Sequence, residues 1–269
     1  MVAITPRPTG MAAGGLRGRR ALVTGSTGGI GLAVAEALAA EGCAVLLHGL
    51  ATTAEAAPAL AAVAAHGVEA RYHRADLADP AAIAALAAEA GAPDILVNNA
   101  ATRHFGPVEK TPPEAWDTDI AVNLSAAFHL LRLALPGMRQ RGWGRVVNMS
   151  SIYGLVGATG RIGYVTSKTA LIGLTRAVAL ETAGSGITCN ALCPGTTLTP
   201  NIEGRLRAAM AERGLDRAAA EAQFLAGKQP TGRFVQAEAV GAMAAFLCGE
   251  AGRDITGAVL PIDGGWSAC

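Results

Sequence analysis

The chain has 269 residues and a mass of 27.1 kDa, a length that favours one large α/β domain over two small ones. Just over half of the residues (51%) are apolar and 16% are charged, which excludes disorder and any large solvated tail. Lys plus Arg total 22 against 21 Asp plus Glu, and this net charge of +1, with 4% aromatics, argues against a nucleic-acid partner.

Residues 1–19 carry Arg7, Arg17 and Arg19 and no acid, and prolines and glycines break any amphipathic helix there. We read them as a flexible N-terminal arm, ahead of one domain spanning residues 20–269. From Arg20 the pattern alternates. Strands are predicted over Ala21–Thr24, Ala44–Leu47, Val68–His73, Asp94–Val97, Arg145–Met149, Ile187–Leu192 and Ala258–Pro261. Helices are predicted over Gly31–Ala40, Ala54–Ala65 (interrupted by Pro58), Pro80–Ala90, about Pro113 to Gln140 in one or two pieces, Ala170–Thr182 and Ala237–Leu247. Such alternation implies βαβ units and a doubly wound parallel sheet covered on both faces. Residues 199–228 break the rhythm with two helical pieces, and a long insertion after a strand's C-terminal end predicts a lid over a ligand site.

The five cysteines (Cys43, Cys189, Cys193, Cys248, Cys269) are odd in number and form no C-x-x-C, so a reducing, cytoplasmic setting is expected, without disulfides. The five histidines show no metal-ligand spacing, and no metal is expected. No apolar run reaches 18 residues free of charge or helix breaker, so neither a transmembrane helix nor a membrane partner is expected.

The first strand ends in Thr24-Gly25-Ser26-Thr27-Gly28-Gly29-Ile30-Gly31 and runs straight into a helix. Gly25 permits the tight turn, Gly29 lets backbone approach a pyrophosphate, and Gly31 allows close helix–strand packing, with the anion on the helix N-terminus. A glycine-rich turn alone is weak evidence, but strand before and helix after point to a dinucleotide site. A P-loop is excluded, because no Lys-Ser/Thr follows the glycines. Tyr164 and Lys168 are four apart on one helix face, where an ammonium favours the phenolate of a group whose free pKa is about 10. Ser151 has no G-x-S-x-G surroundings, which argues against a hydrolase.

Together, Thr24-Gly25-x-x-x-Gly29-Ile30-Gly31, Asn98-Asn99-Ala100, Ser151, Tyr164-x-x-x-Lys168 and Pro194-Gly195 resemble the short-chain dehydrogenase/reductase family, from Arg20 to Trp266. The resemblance implies a single Rossmann-fold domain with a seven-stranded parallel sheet, a helical substrate lid and assembly as a homotetramer. It also implies catalysis by Asn123, Ser151, Tyr164 and Lys168, with Tyr164 as proton acceptor or donor, Ser151 on the substrate oxygen, and Asn123 kinking a helix and holding a relay water. Cofactor contacts are implied for Gly25, Thr27, Gly29, Ile30, Gly31, Leu50, Asp76, Leu77, Asn99, Ala100, Tyr164, Lys168, Pro194, Gly195, Thr197 and Thr199, with Asp76 on the adenine. The ribose-selecting positions hold Gly49 and Leu50, neither acid nor base, so NAD is expected, with NADP not excluded.

Within the family the chain is similar to bacterial D-3-hydroxybutyrate dehydrogenases, in Ala134-Leu135-Pro136-Gly137-Met138, Lys228-Gln229-Pro230 and Asp263-Gly264-Gly265-Trp266. The pocket positions depart from that pattern: Arg103, Arg161 and Arg205 replace Gln, Lys and Gln, while Tyr153 and Thr196 replace His and Trp. Arg at two of these positions also resembles the sulfonate-binding pair of 2-(R)-hydroxypropyl-coenzyme M dehydrogenase. Three guanidiniums imply a small anionic substrate with more charge or more oxygens than a monocarboxylate. The expected reaction is reversible oxidation of its secondary alcohol to a ketone. The alternative is an NADPH-dependent 3-oxoacyl reductase, and a dinucleotide-binding protein without turnover is disfavoured by the complete proton-transfer group.

Overall fold

A computed structural model describes residues 15–269. Its elements in chain order are β1 (Arg20–Val23), α1 (Gly29–Ala40), β2 (Ala44–Gly49), α2 (Thr53–Ala64), β3 (Ala70–Arg74), α3 (Pro80–Ala90) and β4 (Ile95–Asn98). There follow α4 (Pro113–Ile120), a π-helical turn (Ala121–Ser125), α5 (Ala126–Arg141), β5 (Gly144–Met149), α6 (Ile162–Glu181) and β6 (Ile187–Pro194). The chain ends with β7 (Thr197–Leu198), α7 (Pro200–Arg213), α8 (Arg217–Leu225), β8 (Val235–Gln236), α9 (Ala237–Cys248) and β9 (Val259–Ile262).

Seven parallel strands form one sheet in the order β3-β2-β1-β4-β5-β6-β9, while β7 and β8 pair separately. This is the single doubly wound Rossmann-type domain that the alternation implied. Successive side chains of a strand point to opposite faces. Val23, Leu47, Val97 and Val147 therefore pack with α1 and α9, while their neighbours Leu22, Leu46, Leu96 and Val146 pack with α3 and α5. Strands β4, β5 and β6 are buried along their whole length, as a sheet covered by helices on both faces requires. The strand order reverses between β1 and β4, and their C-terminal loops open a crevice there.

Three expectations are corrected. The predicted arm lies outside the described residues as far as position 14, but Leu16 is packed. Leu16 is 2% exposed and its N–H donates to the Glu41 carbonyl (3.0 Å), so the fold starts before Arg20. Pro58 does not interrupt α2: a Thr52–Glu55 capping box fixes its start, and both Pro58 and the Ala54 carbonyl deprived of a donor lie on the wet face. Helix α6 begins at Ile162, eight residues ahead of the predicted Ala170, because Ser167 and Lys168 are buried polar residues that mask the apolar period. The predicted long helix is one continuous helical stretch, Pro113–Arg141, with a π turn inside it. Among the described residues it is the stretch long and apolar enough to cross a membrane by length and composition, yet Leu130, Leu131, Ala134 and Met138 face the sheet.

The lid has its own small core. Ile202, Leu206, Ala220, Leu225 and Phe234 pack together, with Phe224 at their margin. Thr199 caps α7 and Asp216 caps α8 through side-chain oxygens that accept the Ile202 and Ala219 N–H groups.

Candidate active site

One cavity of about 1420 Å³ opens at the C-terminal ends of the strands, between the sheet and the lid. Its floor is the turn between β1 and α1. Gly31 is forced there: a Cβ would lie 2.1 Å from the Gly25 carbonyl oxygen and 2.5 Å from Asn99 Nδ2. Gly25 and Gly29 both have positive φ (62° and 54°), which glycine adopts without strain. Helix α1 has no side-chain cap and no acid in its first turn, so its first N–H groups and dipole face the cavity unopposed. That cradle fits a pyrophosphate, and the cavity has room beyond it for a nucleoside at each end.

The turn is pinned by side chains from other strands. Asn99 Nδ2 donates to the carbonyls of Thr24 (2.8 Å) and Gly25 (2.9 Å), and its N–H donates to Thr24 Oγ1 (2.9 Å). His48, one of the five histidines without metal-ligand spacing, is a second pin. Its Nδ1 accepts the Gly25 N–H (3.1 Å) and its Nε2 faces the Ala75 carbonyl (3.0 Å), so the proton sits on Nε2. Burial holds the His48 imidazole below its ordinary pKa, which keeps it neutral.

Every residue expected to touch the dinucleotide lines this cavity. Asp76 does so while its Oδ1 accepts the Ala78 N–H (2.9 Å), so it is also a turn former. Thr197 and Thr199 stand on the lid side, and Thr199 Cγ2 is 3.3 Å from where a Gly29 Cβ would be. At the ribose end a Cβ on Gly49 would press on Thr27 Oγ1 (3.1 Å), and Leu50 is 64% exposed. Arg74 was missed. The β2–β3 register sets it directly beside Gly49, and its Nε donates to the Leu50 carbonyl (2.9 Å).

Ser151, Tyr164 and Lys168 line the cavity together, all nearly buried. The Lys168 Nζ lies 5.6 Å from the Tyr164 ring centroid and donates to the Met149 carbonyl at 2.7 Å. Burial, with a smaller push from the Arg103 guanidinium, lowers the Lys168 ammonium to about 7. Its charge is thus poised near neutrality. Ser151 Oγ accepts the Tyr153 N–H (3.2 Å) and keeps its own proton to donate into the cavity. Asn123 is different: it does not line the cavity. It sits in the π turn behind it, where Oδ1 accepts the Thr102 N–H (2.8 Å) and Nδ2 donates to the Thr102 carbonyl (2.9 Å) and Ser167 Oγ (3.1 Å). It therefore fixes the loop that carries Arg103.

Arg103, Tyr153, Arg161, Thr196 and Arg205, the residues expected to touch substrate, all line the cavity and come from four separate segments. Arg103 lies over the Tyr164 ring (5.1 Å), and Arg161 lies over both Tyr153 and Phe105 (4.9 Å each). Arg205 lies over Phe224 of the lid (5.0 Å). Trp266, from the C-terminal segment, meets the edge of Tyr153 at 5.4 Å and closes the wall. Lys228 was also missed as a wall residue. It had been read only as part of a family stretch, because nothing local distinguishes it from a surface lysine. Thr196 N–H donates to the buried Gln229 Oε1 (2.6 Å), which ties this wall to the end of the lid.

A family model described as enoyl-(acyl carrier protein) reductase matches residues 25–267. The chain is 45% identical to D-beta-hydroxybutyrate dehydrogenase from Cupriavidus necator, over 94% of this chain and 99% of that protein. It is 40% identical to D-beta-hydroxybutyrate dehydrogenase from Rhizobium meliloti, over 93% of this chain and 99% of that one. Among solved structures, L-sorbose reductase from Gluconobacter frateurii, complexed with NADPH and L-sorbose, superimposes with a TM-score of 0.90 at 29% identity, covering 96% of this chain and 99% of that one. With the glycine cradle, the buried Ser151–Tyr164–Lys168 group and these relatives agreeing, the chain belongs to the short-chain dehydrogenase/reductase family of oxidoreductases acting on alcohols and ketones.

Proposed function

We propose that this protein is an NAD-dependent dehydrogenase that reversibly oxidises the secondary alcohol of a small anionic molecule, a 3-hydroxybutyrate-like acid or a carboxylate, sulfonate or phosphonate analogue. The observation that carries this reading is the placement of Tyr164 and Ser151 in one cavity with Arg103, Arg161 and Arg205. A bound dinucleotide supplies the hydride acceptor. Tyr164 Oη takes the hydroxyl proton during oxidation and returns it during reduction. Ser151 Oγ donates to the substrate oxygen and orients it. Lys168, held by the Met149 carbonyl beside the phenol ring, favours the phenolate whenever it is charged. Asn123 acts through the loop it holds rather than by contact.

Gly49 and Leu50 offer no cation to a 2′-phosphate, which supports NAD. Arg74 beside Gly49 is the observation that favours the second reading, an NADPH-dependent 3-oxoacyl reductase. Exposed Trp116, Phe128 and Leu180 on α4, α5 and α6 support assembly as a homotetramer. Five unpaired thiols, four of them buried, support a cytoplasmic setting. A near-zero net charge supports a small molecule, not a nucleic acid or a membrane, as the partner.

The test is NAD reduction over a panel of hydroxy-carboxylates, hydroxy-sulfonates and hydroxy-phosphonates, repeated with Tyr164→Phe. The variant should lose about 10²- to 10⁴-fold in kcat, the usual contribution of general acid–base catalysis. Unchanged turnover would overturn the mechanism, and faster reaction with NADP than with NAD would install the second reading.

A further inference from the structure

The lid separates its cations into two populations. On its outer face Arg207 pairs with Glu203 (3.1 Å), Arg217 pairs with both Glu203 (2.8 Å) and Glu221, and Arg213 lies 4.0 Å from Glu212. On its inner face Arg205 and Lys228 have no carboxylate within ion-pair distance among the described residues. Both instead lie against one aromatic ring, Phe224, at 5.0 and 4.5 Å from its centroid. Across the cavity Arg103 and Arg161 are likewise without acidic partners among the described residues, and rest on Tyr164, Tyr153 and Phe105. Among the described residues the sole side-chain carboxylate lining the cavity is Asp76, at the opposite, adenine end.

Four unneutralised cations around one cavity repel one another, and aromatic faces offset that only partly. Lys228 registers the repulsion: burial, then the charges of Arg161 and Arg205, hold its ammonium below the ordinary lysine value. Its Nζ also donates to the Phe224 carbonyl (2.5 Å), so it is fixed in the wall rather than swinging in solvent. One anionic group can be matched by the guanidinium beside Tyr164 or by the pair on Phe224, whereas two can be matched by both.

Resting on the dehydrogenase reading above, we propose that the substrate is a dianion: a hydroxy acid with a second acidic group remote from the carbinol carbon. The near group meets Arg103, and the remote one meets Arg205 and Lys228 on the Phe224 platform. Lys228 is then a specificity-determining residue for charge number, a role separate from the chemistry at Tyr164. The reaction that supplies such a substrate leaves a hydroxyl between two acidic groups, as hydration of an unsaturated diacid does.

The experiment compares kcat/KM for 3-hydroxybutyrate, with one carboxylate, against 3-hydroxyadipate and 3-hydroxypimelate, with two, using wild type, Lys228→Gln, Lys228→Arg and Arg205→Gln with NAD. Wild type should prefer a diacid by about tenfold or more, the equivalent of one additional charge-assisted contact. Lys228→Gln and Arg205→Gln should each reduce that diacid-to-monoacid ratio by about tenfold, mainly through KM, and Lys228→Arg should retain it. A ratio near one in wild type, or one untouched by Lys228→Gln, overturns the dianion proposal while leaving the dehydrogenase reading in place. Failure of all three acids to support NAD reduction, with other hydroxy-anions failing too, overturns the dehydrogenase reading itself.

Discussion

Lys168→Met should make the protein inactive and, near neutral pH, more stable. In the folded chain burial and Arg103 lower the Lys168 ammonium from 10.5 to about 7. The unfolded chain therefore binds this proton more readily than the folded one throughout that window. Stability consequently rises with pH from about 7 to about 10.5, and below 7 the full cost of the buried charge applies. At about 1.4 kcal/mol per pH unit, that cost is on the order of 4 kcal/mol at pH 7. Methionine is close to lysine in length and removes it, but forfeits the hydrogen bond to the Met149 carbonyl (2.7 Å). That bond, from a charged donor, contributes about 2 kcal/mol. The net gain is about 2 kcal/mol at pH 6 to 7, or about 5 °C in Tm for a domain of this size. Above about pH 9 the sign should reverse, because the remaining desolvation cost has fallen below the value of the lost bond. Thermal melts of both proteins without added dinucleotide, at half-unit steps from pH 6 to 10, measure the difference. A variant less stable at every pH, or a difference that does not shrink as pH rises, would refute the argument. It would mean that the ammonium finds compensation within the folded chain.

Two further outcomes follow from the dinucleotide cradle. Gly31→Ala places a Cβ against the Gly25 carbonyl, so the turn must move; the Kd for NADH, read by fluorescence titration, should weaken about 100-fold, with about 1–3 kcal/mol lost from stability. A Kd within twofold of wild type would show that the turn is not the cradle. His48 has a folded-state pKa below its ordinary value, so as pH falls below about 6.5 the unfolded chain takes up the proton first and stability declines. Protonation also removes the Nδ1 acceptor of the Gly25 N–H, so NAD affinity should fall at a pH below the ordinary histidine value. Affinity that stays flat down to the pH at which the fold itself is lost would remove His48 from the cradle.

The sequence by itself determined what depends on short-range pattern. Alternating apolar runs and helical periods fix a parallel sheet between helical layers, because each element must bury its own apolar face. The glycines of the β1–α1 turn were legible because backbone that must approach another backbone tolerates no Cβ. Tyr164 and Lys168 were legible through the family resemblance, whose spacing of four is the one that places two side chains on one helix face. The start of α6 was not, since burying Ser167 and Lys168 for chemistry erases the periodicity that marks a helix.

Only the tertiary structure decided which charges meet. Strand register alone sets Arg74 beside Gly49, and the π turn alone turns Asn123 away from the cavity to hold Thr102. Arg205 and Arg207 are two residues apart on α7, yet one faces Phe224 and the other Glu203. Lys228 joins Arg205 on that ring through the fold of the lid. Such convergences depend on packing between distant segments, where the cost or benefit of a charge is set by neighbours that the local sequence does not contain.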